Sequence, residues 1–349
     1  MAQYTLTRAG RTWHFVAGIA NDSVMVGVRY PSSIAIAPDG HIFVLSRGMP
    51  TNSPDALGDG GKIGKWHLDG TRIGDYARNE FTWTAGIAVA TDGDVYCADE
   101  HDNFIAAFPP DGPFRPFPEF NPDGEFKFKW GEPGSADGQF NSPSGLVFDQ
   151  HDDLLVVDSR NNRVQKFTKE GVRLSGWGAR GVGEGEFDRP WGICVDKDDF
   201  VYVADWGNHR VQKFTPDGEY VMTFGSHRDS GGDLKHPSDV AVDSDGDVYV
   251  TDWGNKRVQI YEPDGEIIGA LHGNATDPYD RNVKDAFTLT DDARKADARI
   301  DSGALIGRFD RPIGIAIDGE DRIYVAETRR CRIQIYGKDK AFVEAPPDA

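Results

Sequence analysis

Short runs of alternating apolar and polar residues recur along the chain, and polar turns separate them. From Pro190, the stretch PWGICVDKDDFVYVADWGNHRVQKFTPDGE contains two such runs around KDDF and a third that ends in RVQKF. Alternation with a period of two is typical of β-strands with one buried face, and the Asp, Gly and Pro residues between the runs favour turns. The pattern predicts an all-β chain of short antiparallel strands.

The same order of strands and turns returns six times along the sequence. The units begin near Pro31, Thr84, Pro143, Pro190, Pro237 and Pro312. The first five units each hold four predicted strands, and the third, fourth and fifth units start 47 residues apart. Four short strands with a period of about 40 to 50 residues are typical of a β-propeller blade. We predict a six-bladed β-propeller of four-stranded blades, as a single domain covering residues 1–349.

The two ends of the chain are predicted to share one blade. The last unit stops after its third strand, CRIQIY, whereas the amino-terminal segment RTWHFVAGIAND resembles the fourth strand EYVMTFGSHRD of another unit. Residues 11–20 are therefore expected to complete the last blade and close the ring without exposed sheet edges. Residues 274–307, which include the charged stretch DARKADARID, are predicted to form an inserted loop or helix.

Three linker sequences carry a family resemblance. GSADGQFNSP (134–143), GVGEGEFDRP (181–190) and GRFDRP (307–312) each precede a GIAVD-like and a VADxxNxRVQKF-like strand. These segments resemble NHL repeats, and the resemblance extends over nearly the whole chain. It implies the propeller fold. NHL propellers include protein- or RNA-binding platforms, extracellular repeats and enzymes, so the resemblance implies no single function.

A second, partial resemblance concerns one enzyme family. HIFVLSRGMP is similar, at Arg47 and Gly48, to the Arg-Gly pair that ends the first blade of peptidyl-hydroxyglycine amidating lyases. That family binds a catalytic zinc ion through His residues at three inner-strand starts. The corresponding residues here are Ala85, Trp191 and Ile313. The resemblance therefore implies only that Arg47 binds an anion, and we predict neither the zinc site nor amidating lyase activity.

The predicted insertions all fall on one face of the propeller. Connections from strand two to strand three, and from blade to blade, hold the long segments 48–61, 118–141 and 274–307. The opposite face has only short turns such as PDG and SDG. Variable loops on one rigid face are a usual place for a ligand site.

Strand ends at the inserted-loop face supply the candidate site residues. Predicted substrate-binding residues are Arg47, Arg160, Arg329, Trp191, Trp206 and Trp253, and predicted proton-transfer residues are Asp239, Glu100 and His101. Arginine and tryptophan suit an anionic and a flat or apolar group, respectively. Asp239 stands where four of the other five blades have Gly, and a carboxylate in a narrow channel needs a partner. Arg47 and Asp239 either belong to a ligand site or pair with each other as a structural plug.

The sequence leaves the cofactor open. The acidic turn DSDGD lacks the spacing and the terminal Glu of a calcium loop. Asp243, Asp245 and Asp247 are therefore interpreted as turn-forming residues. A structural calcium ion stays an alternative. A metal site would require convergence of His101, His227, His236 or His272 from different loops. The repeated Asp205 and Asp252 are interpreted as residues that shape the connection after strand two.

Composition narrows the expected partners. The net charge of −19 disfavours nucleic acid and anionic membranes as partners. The amino terminus has no secretory signal pattern, and three widely spaced cysteines suggest buried thiols, so a cytoplasmic location is expected. Two functions stay open: a lyase or hydrolase that binds a small anionic or aromatic substrate, and a noncatalytic platform for a peptide or partner protein. We favour the enzyme, because a propeller without a fused effector domain must supply its own output.

Overall fold

The computed structural model describes residues 5–8, 11–19, 28, 30–47, 61–77, 80–110, 126–225, 233–273, 309–329 and 331–339. Within these ranges the chain is all β, apart from the 3₁₀ turns Ser159–Asn161 and Trp206–Asn208. No helix in this part of the chain has the length and apolar character needed to cross a membrane. The predicted insertions 48–61 and 274–307 lie almost entirely outside the described residues, as does the first part of 118–141.

Five blades are four-stranded antiparallel sheets whose strands follow chain order outward from a central channel. The first two strands of the chain, β1 (Thr5–Arg8) and β2 (Arg11–Ile19), lie in the sixth blade. Blade one contains β3 (Pro31–Ile36), β4 (Ile42–Ser46), β5 (Lys62–Trp66) and β6 (Arg72–Tyr76). Blade two contains β7 (Thr84–Val89), β8 (Val95–Asp99), β9 (Phe104–Phe108) and β10 (Phe128–Trp130). Blade three contains β11 (Pro143–Phe148), β12 (Leu154–Asp158), β13 (Arg163–Phe167) and β14 (Arg173–Trp177).

The next two blades keep the same order. A short parallel pair, β15 (Ala179–Arg180) and β16 (Glu186–Phe187), lies in the connection that follows blade three. Blade four contains β17 (Pro190–Val195), β18 (Val201–Asp205), β19 (Arg210–Phe214) and β20 (Tyr220–Phe224). Blade five contains β21 (Pro237–Val242), β22 (Val248–Asp252), β23 (Arg257–Tyr261) and β24 (Ile267–Leu271). The predicted six-bladed propeller is confirmed.

The sixth blade joins the two ends of the chain. It contains β25 (Pro312–Ile317), β26 (Ile323–Glu327) and β27 (Arg332–Asp339), and β2 pairs antiparallel with β27. The pairing runs from Thr12 opposite Asp339 to Ile19 opposite Ile333. The predicted closure by the amino-terminal strand is therefore confirmed. Strand β1 adds a fifth, outermost strand that the sequence pattern did not predict.

The hydrophobic core lies between neighbouring blades. Along β12, Leu154 and Val156 pack with residues of blade two, whereas Leu155 and Val157 pack with residues of blade four. Because both faces of this strand are covered, its sequence is almost continuously apolar instead of alternating. The second strands of the other blades are buried in the same way.

The repeated Asp-Trp-Gly-Asn and Arg-Val-Gln sequences form a structural network. In blade four, Asp205 accepts hydrogen bonds from the Asp188 backbone N–H, from Asn208 Nδ2 and from Arg210 Nε at 2.8 to 2.9 Å. Asp252 has the equivalent partners in blade five. The network ties the connection from the preceding blade to strands two and three. The prediction that these aspartates shape the connection is confirmed.

An ion cluster fastens both terminal strands to blade five. Lys338 Nζ in β27 lies 2.6, 2.7 and 2.8 Å from carboxylate oxygens of Asp243, Asp245 and Asp247, the three aspartates of the DSDGD turn. Arg11 in β2 reaches Asp247 at 3.2 Å. The lysine ammonium thus takes the position between these carboxylates that a structural calcium ion would need. We call this group the closure cluster.

Candidate ligand site

The candidate site lies at one end of the central channel, where first strands begin and second strands end; we call this side the loop face. The channel has a volume of about 250 Å³ and is lined by the six first strands. These strands approach one another closely because glycine stands near the start of four of them. A Cβ atom added to Gly192 would lie 2.6 Å from the Ser238 carbonyl oxygen and 2.3 Å from Asp239 Oδ1. The glycine positions therefore set the width of the channel.

Arg47 is held between blades one and two. Its Nε donates to the Thr84 carbonyl oxygen at 2.9 Å, and one terminal nitrogen donates to Glu100 Oε1 at 3.0 Å. Burial lowers the pKa of Arg47 and raises the pKa of Glu100, and the ion pair opposes both effects. The predicted plug, in which Arg47 and Asp239 pair only with each other, is therefore wrong. The arginine instead extends toward the next blade, where a carboxylate is available.

Three tryptophans form a continuous aromatic ridge on blades four and five. Trp191 is the second residue of β17, and its ring centroid lies 6.3 Å from that of Trp206. The Trp206 ring centroid lies 5.2 Å from that of Trp253. All three side chains are half-buried. We call Trp191, Trp206 and Trp253 the aromatic ridge. The predicted tryptophans are thus brought into contact, although they come from three different strand ends.

An arginine lies at each end of the aromatic ridge. The Arg47 guanidinium is 5.9 Å from the Trp191 ring, and the Arg311 guanidinium is 5.3 Å from the Trp253 ring. Arg47 also lies 5.6 Å from Trp83, which is 51% exposed. The sequence analysis missed Arg311 and Trp83. Both directly precede a first strand, a position that alignment of the six units would have placed on the loop face.

The two other predicted arginines are placed differently. The residues that directly follow β12 and β26, and so correspond to Trp206, are Ser159 and Thr328. Arg160 and Arg329 lie one residue further along and are exposed. Arg160 is close enough to Glu100 for its charge to lower the pKa of that carboxyl, and Arg329 lies 3.9 Å from Asp310. Neither contributes a ring contact to the aromatic ridge.

The three predicted proton-transfer residues occupy separate environments. Asp239 lines the channel, where its oxygens accept hydrogen bonds from the Val240 and Ile315 backbone N–H groups at 3.0 Å. The Asp239 side chain is half-buried and faces the channel. Because protein surrounds it on its other sides, burial raises the pKa of Asp239 to about 7. Glu100 is bound to Arg47. His101 is exposed and its Nδ1 lies 2.8 Å from Asp102, which raises the pKa of the histidine.

The described residues offer no obvious metal centre. Within them, no group of three or more His, Cys, Asp or Glu side chains is arranged to hold a metal ion. Of the histidines considered from the sequence, His227 falls outside the described residues. His236 is on the loop face, where its ring stacks on Trp206 at 4.9 Å. The side chains described at this end of the channel are the three tryptophans, arginines beside them and the channel carboxyl of Asp239.

Comparison with known proteins agrees with the repeat structure. The NHL repeat family matches residues 140–167, 187–214, 234–261 and 309–336. A 43-residue segment is 46% identical to Protein brain tumor of Drosophila melanogaster, and it covers 12% of this chain and 4% of that protein.

Two solved structures resemble the chain over nearly its full length. A streptogramin B lyase structure is 13% identical, with a TM-score of 0.54 over 94% of this chain and 98% of that one. A gluconolactonase from Xanthomonas campestris is 13% identical, with a TM-score of 0.59 over 97% and 96% of the two chains. At this identity the similarity concerns the fold alone.

Proposed function

We propose that this chain, a six-bladed β-propeller built from NHL repeats, binds a small ligand on its loop face. The ligand combines a flat apolar group with an anionic group. The flat group stacks on the aromatic ridge, and Arg47 or Arg311 binds the anion. The single observation that carries the proposal is the contact of three half-exposed tryptophans between two arginines. Each arginine already lies within cation–π distance of a ridge indole.

The repeat itself does not require the aromatic ridge. At the position of Trp191 the other blades have Ser32, Ala85, Ser144, Ser238 and Ile313, all small or aliphatic. At the position of Trp206 and Trp253 the other blades have Arg47, Glu100, Ser159 and Thr328. Four blades therefore fold without an indole at these positions. Large aromatic side chains that packing does not demand, and that remain half-exposed, are typical of binding surfaces.

Arg311 is the arginine better suited to bind an incoming anion. Arg47 is already engaged by Glu100, whereas Arg311 has no carboxylate partner among the described residues. Its side chain is exposed. A ligand carboxylate could accept a bidentate hydrogen bond there without displacing a protein carboxylate.

Binding of 2-naphthoate and of its uncharged analogue 2-naphthamide, measured by titration calorimetry, tests the proposal. Trp206→Ala should weaken both compounds by about threefold to tenfold, because each loses a stacking partner. Arg311→Gln should weaken only the naphthoate, by a similar factor. The matched control is Arg189→Gln: Arg189 occupies the same blade position but pairs with its neighbour Asp188 at 3.4 Å. Equal affinity of Trp206→Ala and wild type for both compounds would contradict the proposal.

A second candidate function is catalysis at the same mouth, as a lyase or hydrolase with Asp239 as the proton-transfer residue. It is favoured by one specific observation: the Asp239 carboxyl lines the central channel, where burial raises its pKa to about 7, a value suited to proton transfer near neutral pH. The fold similarity to a lyase and a gluconolactonase is compatible with this candidate. Its test is turnover of glucono-lactone and of 2-naphthyl acetate by wild type and Asp239→Asn. Equal turnover by both proteins would exclude Asp239 as the proton-transfer residue. No turnover by either would argue for noncatalytic binding of a small molecule or peptide.

A further inference from the structure

A hydrogen bond recurs between neighbouring blades on the loop face. The residue before a third strand adopts a left-handed conformation, and its side chain accepts the backbone N–H of the residue before the next blade's first strand. We call this contact the interblade bracket. The acceptor and donor pairs are Asn103 with Ser142 at 2.7 Å, Asn162 with Arg189 at 2.8 Å, His209 with His236 at 3.0 Å and Cys331 with Tyr30 at 3.5 Å.

Between blades four and five, the acceptor of the bracket is an imidazole nitrogen. The His236 backbone N–H can only donate, so His209 Nδ1 must accept and therefore carries no proton in this contact. An asparagine oxygen accepts at any pH, but a protonated imidazole has no acceptor. Protonation of His209 would place two N–H groups against each other and break this bracket, whereas the asparagine brackets would persist.

The histidine bracket is coupled to the aromatic ridge through His236. The His236 Nδ1 lies 3.2 Å from the Trp206 carbonyl oxygen, and because a carbonyl only accepts, this nitrogen donates. The His236 ring stacks on the Trp206 indole with an interplanar angle of 26°. The edge of the His209 ring contacts the His236 ring, with the two ring centroids 4.3 Å apart. His236 is thus held by His209 through its backbone while its ring supports Trp206.

We propose that His209 is a positioning residue for the aromatic ridge, which it holds in place at neutral pH and releases in mild acid. The effect on ligand affinity rests on the proposed function, whereas the movement of Trp206 does not. In this way the loop face would change its binding surface over a pH range that leaves the asparagine brackets intact.

The surroundings of His209 set the direction of this pH dependence. Burial, the neighbouring His236 and Lys235 lower the pKa of His209, and Asp252 and Asp188 raise it, with a net lowering. The folded state therefore binds this proton less tightly than the unfolded chain. The bracket is complete above the ordinary histidine pKa of about 6.5 and is lost as the pH falls through the lower value of the folded protein.

The test follows the indole N–H resonance of Trp206 between pH 7.5 and 5, assigned by its absence from Trp206→Phe. In wild type the resonance should shift with a midpoint below pH 6.5. His209→Asn should keep the neutral-pH position throughout, because asparagine restores the acceptor and suits the left-handed conformation that Asn103 and Asn162 adopt at φ of 61° and 55°. His209→Ala should show the acid-state position at every pH. Asn162→Ala, which removes the bracket one blade earlier, should leave the wild-type titration unchanged.

A ligand measurement separates this proposal from the proposed function. The uncharged 2-naphthol avoids direct charge effects, and its affinity for wild type should fall by about threefold to tenfold between pH 7.5 and 5 but stay constant in His209→Asn. If 2-naphthol and 2-naphthoate bind neither protein but the resonance titrates as expected, the proposed function fails and the positioning role of His209 stands. If the resonance titrates equally in wild type and His209→Asn, or does not titrate in wild type, the positioning role is refuted.

Discussion

Replacing Lys338 by methionine removes the central cation of the closure cluster while keeping a side chain of similar length. Lys338 is 1% exposed, and two of its partners, Asp243 and Asp247, have no exposed side-chain surface. Lys338 supplies the acidic turn of blade five with a cation that the blade's own third strand does not provide there. In blades three and four the third strand supplies Lys166 and Lys213 to the acidic turn, but blade five has Ile260 at that position.

The expected loss follows from what remains after the substitution. Asp247 keeps Arg11 at 3.2 Å, and Asp243 keeps the Tyr249 hydroxyl at 2.9 Å and two backbone N–H groups. Among the described residues, Asp243 then has no cation partner, and Asp247 has only the half-buried Arg11. Removing one partner of a buried ion pair costs about 3 to 5 kcal/mol, and we expect a loss of this size at pH 7.

The loss should depend on pH in a direction that identifies its cause. Burial raises the pKa of Asp247, whereas Lys338 and Arg11 oppose that shift. Without Lys338 the pKa of Asp247 rises further, so the folded variant binds protons more tightly than its unfolded chain. Acidification from pH 7 to 5 should therefore diminish the difference in unfolding free energy between variant and wild type.

Urea denaturation at pH 7 and pH 5, with hydrogen exchange of β2 and β27 amides, measures both effects. Lys166→Met is the matched control: Lys166 is 17% exposed and contacts its own blade's Asp149 at 2.6 Å, so we expect a loss of about 1 kcal/mol. A loss for Lys338→Met no larger than that of Lys166→Met, or one that grows in acid, would refute the reasoning. Ligand binding should be unaffected, because the DSDGD turn lies on the side opposite the loop face.

Three further predictions concern the closure, the channel and the loop face. Deleting residues 1–20 removes β1 and β2 with the fully buried Trp13, and should lower the unfolding free energy by several kcal/mol; an unchanged melting temperature would contradict the role of these strands in closure. Burial raises the pKa of Asp239 to about 7, so the unfolding free energy of the wild type should fall as the pH rises from about 4 to 7. In urea denaturation at pH 5 and 8, Asp239→Asn should lack this fall. The same pH dependence of unfolding free energy in both proteins would count against burial of Asp239 as the cause. Arg47→Ala should cost about 1 to 3 kcal/mol by leaving Glu100, 15% exposed, without its partner, and adding Glu100→Gln should recover part of that loss; strictly additive losses in the double-mutant cycle would show that the two side chains are not coupled.

Much of the fold was predictable because its determinants are local and repeated. Alternating apolar residues specify a strand within five or six positions, and a PDG or DG turn specifies the reversal that follows. Six copies of the pattern predicted six blades, and the missing fourth strand of the last copy predicted closure by residues 11–20. The structural role of Asp205 was also visible, because its partners Asn208 and Arg210 lie within the same short motif.

Partner choice across blades was not predictable in the same way. The sequence placed Arg47 and Asp239 on one face, but the structure pairs Arg47 with Glu100, because the end of β4 faces the end of β8 and not the start of β21. Lys338 and Asp243 are 95 positions apart and meet only because the ring closes.

The same distinction between local pattern and contacts across blades applies to the candidate site. The sequence by itself determined which residue types occupy the loop face, including the three tryptophans that no repeat position requires. Only the tertiary structure decided that they touch, that Arg311 lies over Trp253, and that His209 reaches His236 in the next blade. The physical reason is that strand patterns depend on a residue's own neighbours along the chain. Contacts on the loop face depend instead on the rotation of each blade relative to the next, and the packing of the cores between the blades sets this rotation.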